Sequence, residues 1–223
     1  MNSVKQFLKA QEEKRLERRA KKAKYKIYIY FGLPGAGKTT FAAWLARRAN
    51  KNQRDVYANF PLKGCYELNP KQDLGFYHIE ESDIIIDEAG LDYNNRDYKN
   101  TPKENIYFFK YHRHYKDNVY VFSQSYEDMD ITIRRLAAKF FLMRPSIIPF
   151  FVVRKEICRG IGIDENGQII DKFAFIPWWQ GGNKWIFCPP LWKMFDSFSF
   201  KVLEDKEFRK WDDMSEAEKL LQQ

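Results

Sequence analysis

The chain has 223 residues, with 38 Lys and Arg against 30 Asp and Glu and a hydrophobic share of 44%. That is enough apolar content for one sizeable core, and no apolar run approaches the roughly 18 residues of a membrane helix. The best run, Pro145 to Val153, is short and bracketed by Arg144 and Arg154. Cys65, Cys158 and Cys188 make neither a disulfide framework nor a zinc pattern, and Met1 to Lys5 lacks an apolar signal core, so a cytoplasmic setting is expected.

Charge is concentrated at the start. Residues 1–26 hold ten Lys/Arg and three Glu, which is +7 of the chain's net +8, and the rest is nearly neutral. Ser3 and Gln6 suit a capping box, and Val4, Phe7 and Leu8 give the helix a short apolar edge. The plain reading of this arm, residues 1–24, is a solvated charged helix. The functional readings are contact with nucleic-acid phosphates or with anionic lipid.

An ATPase core is expected over residues 25–145. Ile27, Ile29 and Phe31 alternate with Tyr28 and Tyr30 and read as a strand. It enters Gly32-Leu33-Pro34-Gly35-Ala36-Gly37-Lys38-Thr39, a phosphate-binding loop. Glycines let backbone N–H groups wrap a phosphate, Lys38 supplies a point charge, and the Thr39 hydroxyl ligates Mg²⁺. The loop residues, with Thr40 after them, are the expected nucleotide contacts. A helix follows, with Phe41, Trp44 and Leu45 at helical spacing and Arg47 to Asn50 at its close.

Val56 to Phe60 reads as a second strand stopped by Pro61, and residues 63–79 as irregular. Ser82 to Glu88 is an apolar strand ending in two carboxylates, which fits a Walker B strand. Asp87 would hold Mg²⁺, and Glu88 would orient and polarise the attacking water. Residues 89–101 read as a polar loop, and Pro102 opens a helix to about Lys116. Asn118 to Phe122 is a fourth strand, ending in Ser123-Gln124-Ser125, where Gln124 is placed to sense the γ-phosphate or its water. Ile131 to Ala138 reads as a helix and Lys139 to Met143 as a fifth strand. Strands alternating with helices predict a parallel α/β sheet.

Cleavage also needs positive charge at the developing γ-phosphate, and ring ATPases often take it from a neighbour. Arg96, Arg113, Arg134 and Arg135 are candidates. Arg113 is expected on one helical face with Ile106 and Phe109. A metal site at His112 and His114 is rejected, because residues two apart on a helix point to nearly opposite faces.

Residues 146–203 are expected to form a β-rich aromatic appendage. Phe150 to Cys158 and Ile169 to Ile176 read as strands, with Asn166-Gly167 as the hairpin turn, before a stretch holding Trp178, Trp179, Trp185 and Trp192. Residues 204–223 read as a polar helical tail.

The phosphate loop, Asp87-Glu88-Ala89 with Arg96 downstream, His112 to Asp117, Phe122-Ser123-Gln124 and Ile131 to Leu136 together resemble the zonula occludens toxin (Zot) family, which includes the assembly ATPases of filamentous phages. Leu191 to Ser197 is similar to that family's closing motif, although a Tyr usually precedes the Asp. The resemblance spans roughly residues 25–200. It implies a RecA-like P-loop NTPase related to the FtsK/HerA DNA translocases, with ATP and Mg²⁺ as cofactors. It also implies a homo-oligomeric ring and a role in exporting or packaging phage DNA at the host's inner membrane. Many members carry a membrane span after the core and this chain has none, so any membrane contact is expected to be peripheral.

The expected function is an ATP-hydrolysing motor acting on single-stranded DNA or a nucleoprotein. Two alternatives stand beside it. One is a nucleotide switch or adaptor that docks a membrane or DNA partner. The other is a P-loop small-molecule kinase, which Glu88 argues against.

Overall fold

The computed structural model describes residues 25–89, 101–163, 169–177, 179 and 182–196. The basic arm, Arg96, the Asn166-Gly167 turn, Trp178 and the polar tail lie outside the described residues.

β1 (Ile27–Phe31) leads into the phosphate loop and α1 (Lys38–Lys51). β2 (Val56–Ala58), a two-residue β3 (Tyr66–Glu67), a single turn α2 (Pro70–Asp73) and β4 (Asp83–Ile86) follow. Next come α3 (Lys103–Tyr111), β5 (Asn118–Ser123), α4 (Ile131–Leu136) and β6 (Lys139–Pro145). β7 (Phe151–Ile163), β8 (Ile169–Phe175), β9 (Asn183–Phe187) and a 3-10 helix (Pro189–Met194) complete the described chain.

The sheet runs in the order β3-β2-β4-β5-β1-β6-β7-β8, with β9 also paired to β7. From β3 to β6 every pairing is parallel; β7 reverses direction against β6, and β8 and β9 run antiparallel to β7. Helices cover the parallel part, which makes a RecA-like α/β core. β5 lies between β1 and β4, so the tips of all three strands meet at one edge of the sheet.

Both faces of β1 are buried, as in a central parallel strand. Ile27 and Ile29 face one core layer with Phe109, Met129 and Ile133. Tyr30 faces the other, against Phe41, Phe122 and Phe141. Small side chains on α1 (Ala42, Ala43, Ala46 and Ala49, all at most 2% exposed) let that helix lie close on the second layer.

The β-rich segment from residue 146 continues this sheet. Arg144 pairs with Val153 and Phe140 with Ile157, and Val152, Ile186, Cys188 and Leu191 belong to the α1-side core. β9, the 3-10 helix and α2 fall where no strand or helix is read from sequence.

The edge where β4 and β5 begin is built around carboxylates. Asp83 pairs with Arg54 at 2.8 Å and accepts from Asn118 Nδ2 at 2.8 Å and the Tyr120 hydroxyl at 3.3 Å. Asp117 is 0% exposed; its Oδ1 accepts from Ser82 N at 2.9 Å, and its Oδ2 has no partner among the described residues. Burial is the main cause that pushes the Asp117 carboxyl up to about 7. A carboxyl whose folded pKa is raised holds its proton more tightly when folded, so stability falls as pH rises from about 4 to about 7. Asp117→Asn keeps the acceptor without the charge. It should raise the thermal midpoint at pH 8 clearly more than at pH 5, by the equivalent of ~1–3 kcal/mol, measured by calorimetry at both pH values.

Candidate functional site

The phosphate loop is seated by close approach to its neighbours. A Cβ on Gly32 would stand 2.6 Å from the Met143 carbonyl oxygen, and one on Gly37 would stand 2.2 Å from Val152 Cγ1. Gly35 and Gly37 have φ of 76° and 83°, a region L side chains rarely adopt. Gly37 also stands before α1 with no side-chain cap, so the first N–H groups of that helix keep free direction toward an anion. Lys38 is 7% exposed, and its Nζ donates to the carbonyls of Gly32 at 2.9 Å and Leu33 at 3.4 Å. The ammonium is thereby folded over the loop that would hold the phosphates.

β4 delivers the carboxylates. Thr39 Oγ1 donates to Asp87 Oδ2 at 3.3 Å, joining the two expected Mg²⁺ ligands across 48 residues of sequence. Hard oxygen donors suit Mg²⁺, which is usually held by one or two protein oxygens with substrate phosphates and water. Burial raises the Asp87 carboxyl above its ordinary value, opposed by the Glu88 backbone N–H, Lys38 and Thr39. A bound cation would favour its charged form.

Glu88 stands in the left-handed region, at φ 49°. That strain is a feature of functional sites, and here it turns the side chain toward β5. Gln124 Nε2 donates to both Glu88 carboxylate oxygens at 3.2 Å each. Gly32 N donates to Ser123 O at 3.3 Å, so the loop is tied to the same strand tip. Lys38, Thr39, Asp87, Glu88 and Gln124 therefore share one edge of the sheet. Thr40 is buried behind the loop, and Pro34 is exposed on its outside.

Asn59 is the member missed in the sequence. Its side-chain Nδ2 donates to the Asp87 carbonyl at 2.9 Å and its Oδ1 accepts from the Asp87 N–H at 2.7 Å. The available signal was its place just after β2, the strand beside β4, where a side-chain amide can replace a ladder partner.

Among the described residues, no arginine hydrogen-bonds or ion-pairs with Lys38, Asp87, Glu88 or Gln124. α3 ends at Tyr111, so Arg113 shares no helical face with Phe109 and is exposed in the connection to β5. There, Asp117 N donates to His112 O and Glu81 N to Tyr115 O, at the edge where β4 and β5 begin. A strand of β5's six residues puts that edge about 20 Å from the strand tips, so Arg113 does not serve the phosphate loop of its own chain. Arg134 lies with its guanidinium 4.7 Å from the Tyr126 ring centroid, and Arg135 is exposed on α4. His112 is buried with Nδ1 2.7 Å from Phe109 O, and His114 is exposed, so the two do not converge.

The fold and the loop define a RecA-like P-loop NTPase. The model of the Zonular occludens toxin (Zot) family matches residues 71–145, about a third of the chain. That is the family the sequence resembles, and the matched stretch begins after the phosphate loop. No curated protein matches the chain.

Among solved structures, the N-terminal domain of zonular occludens toxin from Neisseria meningitidis is 17% identical, with a TM-score of 0.49, covering 78% of this chain and 100% of that one. The genome packaging NTPase B204 from Sulfolobus turreted icosahedral virus 2, in complex with sulfate, is 10% identical, with a TM-score of 0.45 and coverage of 66% and 95%. A second structure of B204, described as the DNA-packaging ATPase from Sulfolobus Turreted Icosahedral Virus, is 11% identical, with a TM-score of 0.44 and coverage of 66% and 96%.

Two substitutions test this geometry. Glycine ordinarily costs stability relative to alanine, but at φ 49° the order reverses, so Glu88→Gly should be more stable than Glu88→Ala by ~1 kcal/mol in chemical denaturation. Asn59→Ala removes the clamp on Asp87 and should weaken binding of Mg²⁺ with a non-hydrolysable ATP analogue by about tenfold in calorimetry, the equivalent of ~1.4 kcal/mol.

Proposed function

We propose that this chain is an ATP-hydrolysing motor that acts on DNA during export, packaging or virion assembly of a filamentous-phage-like element. The observation that carries the ATPase reading is the convergence of Thr39, Asp87, Glu88 and Gln124 at one sheet edge beside Lys38. The resemblance to the Zot family supports the DNA role.

The chemistry is as follows. Backbone N–H groups of the loop and α1 cradle the phosphates, and Lys38 turns from its carbonyl partners to the β- and γ-phosphates. Thr39 and Asp87 would hold Mg²⁺, which neutralises phosphate charge when bound. Glu88, aimed by Gln124, accepts a proton from water as its oxygen attacks the γ-phosphorus, and the bond to the bridging oxygen breaks to release ADP. Further positive charge at the γ-phosphate comes from a neighbouring copy in a ring. Among the described residues no helix is long and apolar enough to cross a membrane.

The test is ATP hydrolysis by the purified chain, with and without single-stranded DNA. DNA-stimulated turnover is expected. Lys38→Ala and Glu88→Gln should each lower it by about 10²–10⁴-fold, with Glu88→Gln still binding ATP. Tight ATP binding without turnover under any condition would replace the motor with a nucleotide switch.

A further inference from the structure

A second cleft, of about 680 Å³, opens on the α1 side of the sheet, between the C-terminal half of α1 and strands β5, β1, β6 and β7. Its volume is in the range of small-ligand pockets. It is separate from the phosphate loop. Arg48 on its wall lies ten residues beyond Lys38 on α1, about 15 Å along the helix axis.

The floor is aromatic. Tyr28 and Tyr120 pair across β1 and β5 with ring centroids 5.3 Å apart and planes 9° from parallel. Trp44 forms part of the wall.

The charge left unpaired by carboxylates is cationic, with Arg154 also hydrogen-bonded to the Tyr30 side chain. Arg54 is used by Asp83 and Lys139 by Glu156. Arg48, Arg154 and Lys184 line the same cleft, and none of them pairs with a carboxylate among the described residues. Lys184 Nζ lies 3.8 Å and Arg48 Cζ 5.6 Å from the Trp44 centroid. Arg154 Cζ lies 4.2 Å from the Phe141 centroid, and its Nε is buried with no hydrogen-bond partner. Burial, then Arg48 and Arg154, lower the pKa of Lys184. Three cations crowded together in a half-buried cleft repel one another, and an anion among them relieves that repulsion. The cationic arm of residues 1–24 is a poor occupant for the same reason.

Trp44 and Arg48 also wall a neighbouring cleft of about 630 Å³ that continues past Trp185 and Phe187. The track therefore offers π-faces in succession beside fixed positive charge. That combination binds nucleotides by stacking and phosphate pairing with little preference for base.

We infer that the cleft between α1 and the sheet binds a nucleoside phosphate, with Arg48, Arg154 and Lys184 on the phosphate and Tyr28, Trp44 or Tyr120 against the base. The ligand is either a free nucleotide or one residue of a single strand. The strand source rests on the DNA reading above, whereas the site does not depend on ATP hydrolysis.

The experiment uses the full chain carrying Lys38→Ala, so that the phosphate loop does not contribute. Binding of a labelled twelve-residue oligothymidylate is followed by anisotropy, and binding of AMP by calorimetry. Both are repeated with Arg48→Gln and Lys184→Gln together, and with the remote exposed Lys71→Gln as control.

Oligothymidylate binding that weakens at least tenfold in the double variant but not in the control supports the strand source. Its salt slope should also become shallower by about 1.4 for the two lost cations. AMP binding with the same sensitivity, and no oligonucleotide binding, supports the free nucleotide. Ultraviolet crosslinking of 4-thiothymidylate to the chain without the cleft substitutions needs no altered cleft, and crosslinks should map to peptides holding Tyr28, Trp44 or Tyr120. Failure of both probes to bind, binding indifferent to the double variant, or crosslinks confined elsewhere would overturn the inference. Loss of DNA-stimulated ATPase in otherwise native protein, with cleft binding intact, would count against the motor alone.

Discussion

The site depends on a pair of hydrogen bonds between the side-chain amide of Asn59 and the backbone of Asp87. β4 has only four residues in its ladder and ends at Ile86, so Asp87 lies beyond the regular pairing. Without a partner, its peptide would turn to solvent, and the carboxylate would have no defined relation to Thr39. The amide extends the ladder by one residue in side-chain form. It leaves the carboxylate free to face the loop, and the next residue takes the left-handed turn that points Glu88 at Gln124.

The two edges of the sheet are built on opposite principles. Where β4 and β5 begin, the Asp83 charge is enclosed and partnered, by an arginine, an amide and a hydroxyl, beside the buried Asp117. Where the same strands end, charge is held ready. Among the described residues, Lys38 is satisfied only by carbonyls, and the Asp87 carboxylate has only a hydroxyl and a backbone N–H. Those are partners that a phosphate or a divalent cation can displace. Burial still keeps water from screening them, which makes each charge count for more. The Asp83 cluster at the first edge can therefore serve stability, with Asp117 working against it as pH rises, while the second edge is left for chemistry.

The antiparallel strands after residue 146 take part in this arrangement. Val152 on β7 abuts Gly37, and Met143 on β6 abuts Gly32, so the phosphate loop is pressed between the parallel core and its extension. β7 also contributes Arg154 to the cleft beneath α1, and its partner β9 contributes Lys184. On β7 the apolar contact at the loop, Val152, and the cation further along, Arg154, come from one strand, because residues two apart on a strand share a face.

Much of the core was legible because its signals are local. The phosphate loop is spelled by the glycines that its backbone angles require, and β1, β4, β5 and β6 are short apolar runs of the right length. α1 carries its helical period openly. What fell short also has local causes. The helix that Pro102 opens stops at Tyr111, short of the Lys116 that the sequence suggests; no proline or glycine marks that end, where His112 is buried with Nδ1 against the Phe109 carbonyl. β9 and the 3-10 helix lie in an aromatic stretch without a clear period. The sequence does not show that the strands from residue 146 join the main sheet through β6, because antiparallel strands look alike whether they pair with each other or with a sheet already built.

The sequence by itself determined the class of chemistry: which residues can cradle a phosphate, which carboxylates end the apolar strand, and the resemblance to a family. It did so because each of those needs only neighbours along the chain. Only the tertiary structure decided which of the distant candidates meet. It joined Thr39 to Asp87 and Glu88 to Gln124, recruited Asn59, sent Arg113 to the far edge, and gathered Arg48, Arg154 and Lys184 on one cleft. Those outcomes follow from strand order and register, which are set by the packing of whole faces and are not written in any one segment.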